Sequence, residues 1–289
     1  MSLDEFQSYL DKSAKVRAGP EPLIFSHITE GWPARTTNPW DTPAYLLSQT
    51  FNGRRLVPVE IGRSYVDEGW GQKIVPFRDF LRDYIDSSTF DASPRIEPLK
   101  PRTVAYLAQH QLFTQLPELR NDILIPDYCY TAPPSHPTDP SQDQPELESP
   151  MLNAWFGPPG TITPLHTDPY HNLLVQIVGR KYVRLYSPLQ TERMRARGKE
   201  AGVEMGNTSA VDVGVIEGWD VDPEDGNSVE AEETAEGCED SLAGWQDMFR
   251  ELPFVDCILD PGDTLYIPLG WWHYVRGLSV SFSVSFWWN

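Results

Sequence analysis

In the run Pro164-Leu165-His166-Thr167-Asp168-Pro169-Tyr170-His171-Asn172, His166 and Asp168 stand two positions apart. Residues i and i+2 of an extended segment share a face, so these two side chains can converge on one point. A later stretch, Trp271-Trp272-His273-Tyr274, offers a third ligand from a neighbouring strand. Two imidazoles and one carboxylate form a facial triad that leaves positions open on non-haem Fe(II) for a chelating substrate and O2, although such a donor set accepts several divalent ions. A His-x-Asp alone is common, and a histidine in a β core is usually only hydrogen bonded. Here a strand before, a strand pair after and a histidine just ahead of the final strands favour the metal. His27, His110 and His136 lack that setting, and His171 should point away because Asn172 takes the inward face.

A second requirement follows from the first. A 2-oxo acid that chelates iron leaves its distal carboxylate buried, and a buried anion needs a cationic partner. Lys181 opens the segment Lys181 to Tyr186 and shares a face with Val183 and Leu185. On an inward apolar face it demands an anion; at a hairpin end it would sit in solvent, as Arg180 should. Tyr106, Thr163 and Asn172 are candidates for further hydrogen bonds to the same ligand. Thr163, three residues before His166, does not share its phase in a regular strand.

The elements that must position these groups read mainly as β. An amphipathic helix is expected over 3–18, with Leu3, Phe6, Leu10 and Val16 on one side, and Pro20-Glu21-Pro22 ending it. Leu23 to Phe25 is a short strand, Trp40 to Leu47 a helix, and Leu56 to Ile61 a strand whose Pro58 places it at an edge or an end. Phe77 to Ile85 reads as a helix and Thr103 to Leu107 as a strand. The run 133–150, rich in Pro, Ser, Asp and Gln, is expected to be a mobile surface loop. Beyond it come strands at Leu152 to Phe156 and Thr161 to Asp168. Asn172 to Ile177 and Lys181 to Tyr186 are read as a hairpin about Val178-Gly179-Arg180.

Residues 201–249 hold many Asp and Glu and no Lys or Arg, and about 214–244 is expected to be a disordered acidic insertion. Strands resume at Phe254 to Leu259 and Thr264 to Ile267. In Ser279 to Trp288, Val280, Phe282, Val284 and Phe286 alternate with Ser281, Ser283, Ser285 and Trp287, so the second face is small and polar, as a cavity lining would be. Many short strands with Gly/Pro turns indicate a jelly roll of the cupin type, a double-stranded β-helix with flanking helices. One structural domain is expected, with elements of 1–100 packed on a core of 101–289.

With 289 residues the chain can bury a substantial core. A formal net charge of −19 disfavours direct binding of nucleic acid or an anionic membrane and suits a basic protein partner. Three cysteines (Cys129, Cys238, Cys257) show no metal spacing, and their odd count argues against a disulfide framework. No signal peptide or membrane-length apolar run is apparent, so a nuclear or cytoplasmic location is expected.

Thr163-Pro164-Leu165-His166-Thr167-Asp168, Asn172-Leu173-Leu174-Val175-Gln176, Gly179-Arg180-Lys181-Tyr182-Val183-Arg184-Leu185-Tyr186-Ser187-Pro188, Trp272-His273-Tyr274-Val275-Arg276 and the closing Phe282 to Trp288 together resemble the jumonji-C oxygenases. The resemblance extends upstream to Val57 to Gly62 with Tyr65 and Trp70, to Tyr106 to Phe113, and to Ile125 to Cys129. It implies an Fe(II)- and 2-oxoglutarate-dependent oxygenase acting on proteins. His166, Asp168 and His273 would be the iron ligands, and Lys181 would pair with the distal carboxylate of 2-oxoglutarate. Tyr106, Thr163, Asn172 and Trp287 would complete that pocket. Glu60, Tyr65 and Trp70 fall where this branch holds an arginyl side chain, which suits a carboxylate fork with an aromatic stacked on the guanidinium. Hydroxylation of arginyl residues in a basic protein, histone or ribosomal, is the first expectation. N-methyl-lysine demethylation with the same iron is the second, and a non-catalytic cupin interaction module the third. The acidic insertion departs from the family pattern.

Overall fold

The computed structural model describes residues 1–67, 69–85, 104–200, 202–221 and 242–289. In chain order the strands are β1 (Leu23–Phe25), β2 (Leu56–Ile61), β3 (Gly71–Pro76), β4 (Ala105–His110), β5 (Met151–Gly157), β6 (Ile162–His166) and β7 (His171–Val178). There follow β8 (Lys181–Tyr186), the short β9 (Lys199–Glu200) and β10 (Val203–Glu204), β11 (Val255–Leu259), β12 (Thr264–Ile267), β13 (Trp272–Gly277) and β14 (Ser281–Trp288). One sheet runs β1-β12-β7-β14-β5-β4-β2-β3 and a second runs β11-β8-β13-β6, every pairing antiparallel. The chain passes from one sheet to the other at β5 to β6, β6 to β7, β7 to β8, β11 to β12, β12 to β13 and β13 to β14. This is the expected jelly roll.

Two expectations change at the crossovers. The turn at Val178-Gly179-Arg180 closes no hairpin: β7 pairs with β12 and β14, while β8 pairs with β11 and β13. Alternating apolar runs around a glycine turn look the same whether the chain folds back beside itself or crosses to a facing sheet. Gly179 adopts φ +69°, and a Cβ there would lie 1.8 Å from the Val280 carbonyl oxygen, so only glycine fits the crossing. The early strands are likewise part of the large sheet. β1 extends it beyond β12, and β4, β2 and β3 extend it beyond β5. Pro58 sits where β2 has a partner only in β3, since β4 reaches β2 only at Glu60 and Ile61. Its missing N–H therefore breaks no ladder.

Three apolar layers hold the sheets. Between them lie Leu174, Val183, Leu185, Leu259, Leu265, Ile267, Trp271 and Val275. Phe282, Val284, Phe286 and Trp288 of β14 face the opposite way, against Phe6, Trp32, Trp40, Phe77 and Phe80 from the N-terminal segments. Burial of each such side chain contributes roughly 1.5–3 kcal/mol. The N-terminal helix spans Leu3–Ser13, closed by a Ser2/Glu5 capping box, and buries Phe6 and Leu10. It is shorter than expected, and Leu3 and Val16 are exposed. Val16 lies beyond its end, in turns leading to Gly19. The next helix starts at Pro43, not at Trp40, because proline suits the first turn.

The third layer corrects the acidic insertion. Val211, Val213, Ile216, Phe249 and Leu252 cover Ile162, Leu165, Tyr186, Trp272 and Tyr274 on the outer face of the small sheet. Residues Val213–Ile216 and Leu242–Arg250 are helical. The expected disorder from 214 therefore starts too early and ends too late, since the sheet's apolar outer face needs a cover and Val-Asp-Val-Gly-Val-Ile supplies it. The rest of the insertion, 222–241 with Cys238, lies outside the described residues, as does Thr103.

The run 133–150 is irregular, as expected, but is tied down. Asn289 donates to the carbonyls of Gln144 and Pro145 and accepts from Leu147 N–H, and His171 Nε2 bonds the Pro134 carbonyl. Cys129 and Cys257 are free. No described helix is long and apolar enough to cross a membrane.

Candidate metal and cosubstrate site

His166 and His273 face each other directly in the β6/β13 ladder, ring centroids 4.1 Å apart. Each ring is oriented through Nδ1. That of His166 bonds the carbonyls of Pro164 at 2.8 Å and His273 at 3.1 Å, and that of His273 bonds the Trp271 carbonyl at 3.1 Å. A carbonyl only accepts, so Nδ1 carries the proton in both rings and each Nε2 presents a lone pair. Strand β6 ends at His166. Thr167 then continues the chain, its N–H donating to Asn207 O and its carbonyl accepting from Asn207 Nδ2, and Asp168 follows.

The Asp168 Oδ1 lies 3.6 Å from His166 Nε2, and Oδ2 lies 3.5 Å from His273 Nε2. The three ligand atoms fall within 4.8 Å of one another. They surround a common point without closing on each other as hydrogen bonds, which is the spacing of a coordination sphere. Burial and the neighbouring His273 lower the pKa of His166, keeping its lone pair free. Burial pushes Asp168 upward, but the two imidazoles outweigh it and hold the carboxylate ionised.

Thr163 reaches the same cavity by an irregularity. Between His273 and Val275 the register advances two residues on β13, but three on β6, from His166 to Thr163. The extra β6 residue is a β-bulge that reverses the phase and returns Thr163 to the inward side. Strict alternation, on which sequence reasoning relied, misses this.

Behind the triad a narrow cavity is lined by Tyr106, Trp155, Thr163, Asn172, Leu174, Lys181, Ile267 and Val275. Lys181 is 1% exposed, and its Nζ donates to the Tyr106 hydroxyl at 3.0 Å. Among the described residues no carboxylate lies within ion-pair distance of it. Burial alone depresses its pKa to about 7. Arg180, by contrast, is exposed and pairs with Asp260. Asn172 Nδ2 donates to Asp168 Oδ2 at 2.8 Å, while its Oδ1 is buried without a partner. Asn172 thus orients a ligand carboxylate and keeps one acceptor free. A dicarboxylate fits this donor set: the distal end would meet Lys181 and Tyr106, and the chelating end would reach the triad.

A wider mouth of about 240 Å³ opens outward between Glu60, Tyr65, Gln109, Asn207, Pro169 and Trp287, sharing Tyr106, Trp155, Thr163, His166 and Asp168 with the inner cavity. Trp287 therefore stands at the mouth and not beside Lys181. Glu60 is half-buried, and burial raises its pKa against the opposing effect of Trp70 and Gln72. Trp70 sits behind Glu60 and does not line the mouth. His171 turns away as expected, bonded to the Tyr266 hydroxyl at 2.8 Å and stacked on its ring. Sequence reasoning missed Trp155, Gln109 and Asn207. The signal for Trp155 was present: it pairs with Ser283 of the polar β14 face and donates to Ser285 Oγ.

Residues 11–289 match the model of a family described as cupin-like domain. The chain is 40% identical to lysine-specific demethylase 8 of Danio rerio over all of its own length and 56% of that protein. It is 38% identical to lysine-specific demethylase JMJ30 of Arabidopsis thaliana (93% of this chain, 50% of that one). Jumonji C domain-containing protein 5 of Drosophila melanogaster is 35% identical (100% and 58%). The chain thus spans about half the length of these curated relatives. With its jelly roll, its buried two-histidine, one-aspartate cluster and these matches, the chain belongs to the cupin-like family, in its jumonji-C branch.

Proposed function

We propose that the chain is an Fe(II)- and 2-oxoglutarate-dependent oxygenase that oxidises a C–H bond on a basic side chain of a protein, with N-methyl-lysine as the first substrate class. One observation carries the oxygenase reading: three buried metal-ligand atoms share a cavity with a buried lysine that has no carboxylate partner among the described residues. The names of the relatives from Danio and Arabidopsis, lysine-specific demethylases, support methyl-lysine and put the arginyl hydroxylation expected from sequence second. Iron, when bound, would supply the O2 chemistry in which one oxygen atom goes to succinate as 2-oxoglutarate loses CO2 and the other enters the substrate C–H.

The protein's share is binding and orientation. His166 and His273 hold their Nε2 lone pairs in place through their Nδ1 bonds, and Asn172 fixes the Asp168 carboxylate. Lys181 and Tyr106 would hold the distal carboxylate of the cosubstrate, while Leu174, Ile267 and Val275 keep that end dry. Glu60 gives the mouth a negative charge that attracts an ammonium or a guanidinium. Hydroxylation of an N-methyl carbon yields a carbinolamine that releases formaldehyde and leaves the shortened amine. The arginyl alternative rests on Glu60 beside Tyr65 and Trp155, a carboxylate with aromatic faces suited to a guanidinium.

The deciding experiment incubates the protein with Fe(II), ascorbate, 2-oxoglutarate and basic peptides carrying methyl-lysine or unmodified arginine, read by intact mass. Loss of a methylene from methyl-lysine peptides, absent in His166→Ala, supports demethylation. Gain of an oxygen on arginine peptides supports hydroxylation. No mass change, no succinate and no bound iron overturn the oxygenase reading and leave an interaction module.

A further inference from the structure

Two loops from different parts of the chain contribute Tyr65 and Asn207 to the mouth, and one guanidinium joins them. Arg63 follows the strand that carries Glu60 and stands two residues before Tyr65. Its side chain bonds three carboxylates: Asp67 through two nitrogens at 2.9 and 3.0 Å, Asp212 at 2.5 Å and Asp220 at 3.0 Å. Asp220 also accepts from Arg276 of β13 at 2.6 Å, three residues beyond the ligand His273. The Arg63 carbonyl accepts from Ile162 N–H, the first residue of β6. Gly214 packs so closely on the Asp220 carboxylate that a Cβ would lie 2.1 Å from its Oδ2. The carboxylates come from the turn after β2 and from the segment 212–220, so the network spans Tyr65's own loop, the strap over the small sheet and the strand of the distal histidine.

That strap also forms part of the mouth. Thr208 bridges to His166 at the edge of β6, its Oγ1 lies 3.2 Å from the Tyr65 hydroxyl, and Asn207 lines the opening. Tyr65 is thus held at two points, by Thr208 at its tip and by the Arg63 cluster at its base. The arginine and its partners are largely shielded, with side-chain exposures of 14–30%. Pairs so placed are less screened than fully exposed ones.

We infer that Arg63 is a positioning residue for the substrate step: it clamps the Tyr65 loop to the strap 207–220 and so sets the width of the mouth, without touching metal or cosubstrate. This rests on the oxygenase reading above. Lysine cannot replace it, because one ammonium cannot present a planar fork to Asp67 while reaching Asp212 and Asp220.

The test compares the full chain with Arg63→Ala and Arg63→Lys, each loaded with Mn(II) and 2-oxoglutarate for hydrogen exchange and with Fe(II) for turnover. Arg63→Ala should speed amide exchange in 62–67 and 207–220, and should raise the KM for the peptide by about tenfold. The kcat and the KM for 2-oxoglutarate should stay within about twofold, since the ladder bonds among β6, β8 and β13 that fix the triad and Lys181 do not involve the Arg63 side chain. Arg63→Lys should restore the thermal midpoint more fully than the peptide KM. Unchanged exchange in 207–220 overturns the clamp. Faster exchange with an unchanged peptide KM overturns its role in the substrate step, as does a fall in kcat equal to that in kcat/KM. A parent protein with no turnover on any peptide sinks the oxygenase reading and the substrate role with it, and the exchange data then decide the clamp alone.

Discussion

Replacing Lys181 with methionine separates the cost of burying a charge from its use. Methionine matches the lysine stem in length and carries no charge. Among the described residues Lys181 has only the Tyr106 hydroxyl as a hydrogen-bond partner, and burial lowers its pKa from 10.5 to about 7. At about 1.4 kcal/mol per pH unit, that fall makes the charged form roughly 5 kcal/mol more costly in the folded than in the unfolded chain. The sign follows from proton counting. Between about 7 and 10.5 the unfolded chain holds the lysine proton and the folded chain does not, so stability rises with pH across this window. Below pH 7 both states are charged and the full cost is present. Lys181→Met should therefore be more stable than the parent at pH 6.5, by up to about 5 kcal/mol, and the difference should shrink toward pH 10. Urea midpoints of both proteins at pH 6.5, 8 and 9.5 measure it. The same substitution leaves the distal carboxylate of 2-oxoglutarate without its cation, which should weaken binding by about 2–5 kcal/mol, or roughly 30- to several-thousand-fold. Calorimetric titration of the Mn(II)-loaded proteins reads that loss. A methionine variant that is less stable at pH 6.5, or that binds 2-oxoglutarate within about twofold of the parent, refutes the assignment of Lys181 as an anion partner waiting in the cavity.

Other expectations follow from the same geometry. Asp168→Ala removes the carboxylate between two imidazoles and should abolish Mn(II) binding measured by electron paramagnetic resonance, while circular dichroism retains the native β spectrum; a variant that still binds stoichiometric Mn(II) would place the metal elsewhere. Gly179→Ala forces a side chain into φ +69° and against the Val280 carbonyl, and should cost about 2–4 kcal/mol in urea unfolding; a cost under about 1 kcal/mol would mean the crossover is free to shift. Burial raises the Glu60 pKa, so its charge is lost at a higher pH than for an exposed carboxylate. The KM for a cationic peptide should therefore climb as pH falls through that raised value, and Glu60→Gln should be weak at all pH and flat; a Gln variant that keeps the parent's slope assigns the pH dependence to another group.

The fold class and the triad were legible because they depend on residue type and short-range period. Ser281, Ser283, Ser285 and Trp287 alternating with Val280, Phe282, Val284 and Phe286 leave little choice of face, and β14 buries all eight of its residues between β5 and β7. The inward placement of Lys181 was legible from its phase with Val183 and Leu185, and the side chain is buried. Three features were not legible, each for a physical reason. Strand partnership across Gly179 depends on which sheet the next strand joins, and alternation carries no such information. The β6 bulge is one residue of extra chain that restores Thr163 to the cavity, and it appears only when the two strands are laid side by side. The strap at 211–216 was read as part of an acidic run because charge was averaged over the stretch, whereas Val211, Val213 and Ile216 on one side are enough to cover the small sheet.

The division of labour between the sheets says what each part of the chain can tolerate. His166, Thr163, Lys181 and His273 all stand on β6, β8 and β13 of the four-stranded sheet, with Asp168 just past the end of β6. Ladder bonds between neighbouring strands fix those positions relative to one another, so the two histidines and Lys181 stand on one rigid element, with Tyr106 of β4 and Asn172 of β7 meeting them from the other sheet. The groups that line the mouth come from elsewhere. Glu60 and Tyr65 lie on and after β2, Gln109 on β4, Trp287 on β14 and Asn207 on the strap. Of these, Tyr65 and Asn207 are on loops, and Gln109 holds a positive φ at the irregular β4/β5 register. Insertions and substitutions in these outer elements can reshape the mouth without disturbing the ladder that carries the two histidines and Lys181. The clamp at Arg63 is the point where the outer elements are tied back to that ladder, through Asp220 and Arg276 on β13. Under the proposed function, the turn after β2 and the strap, with Gln109 and Trp287, would set substrate choice, and the small sheet beneath them would carry the chemistry.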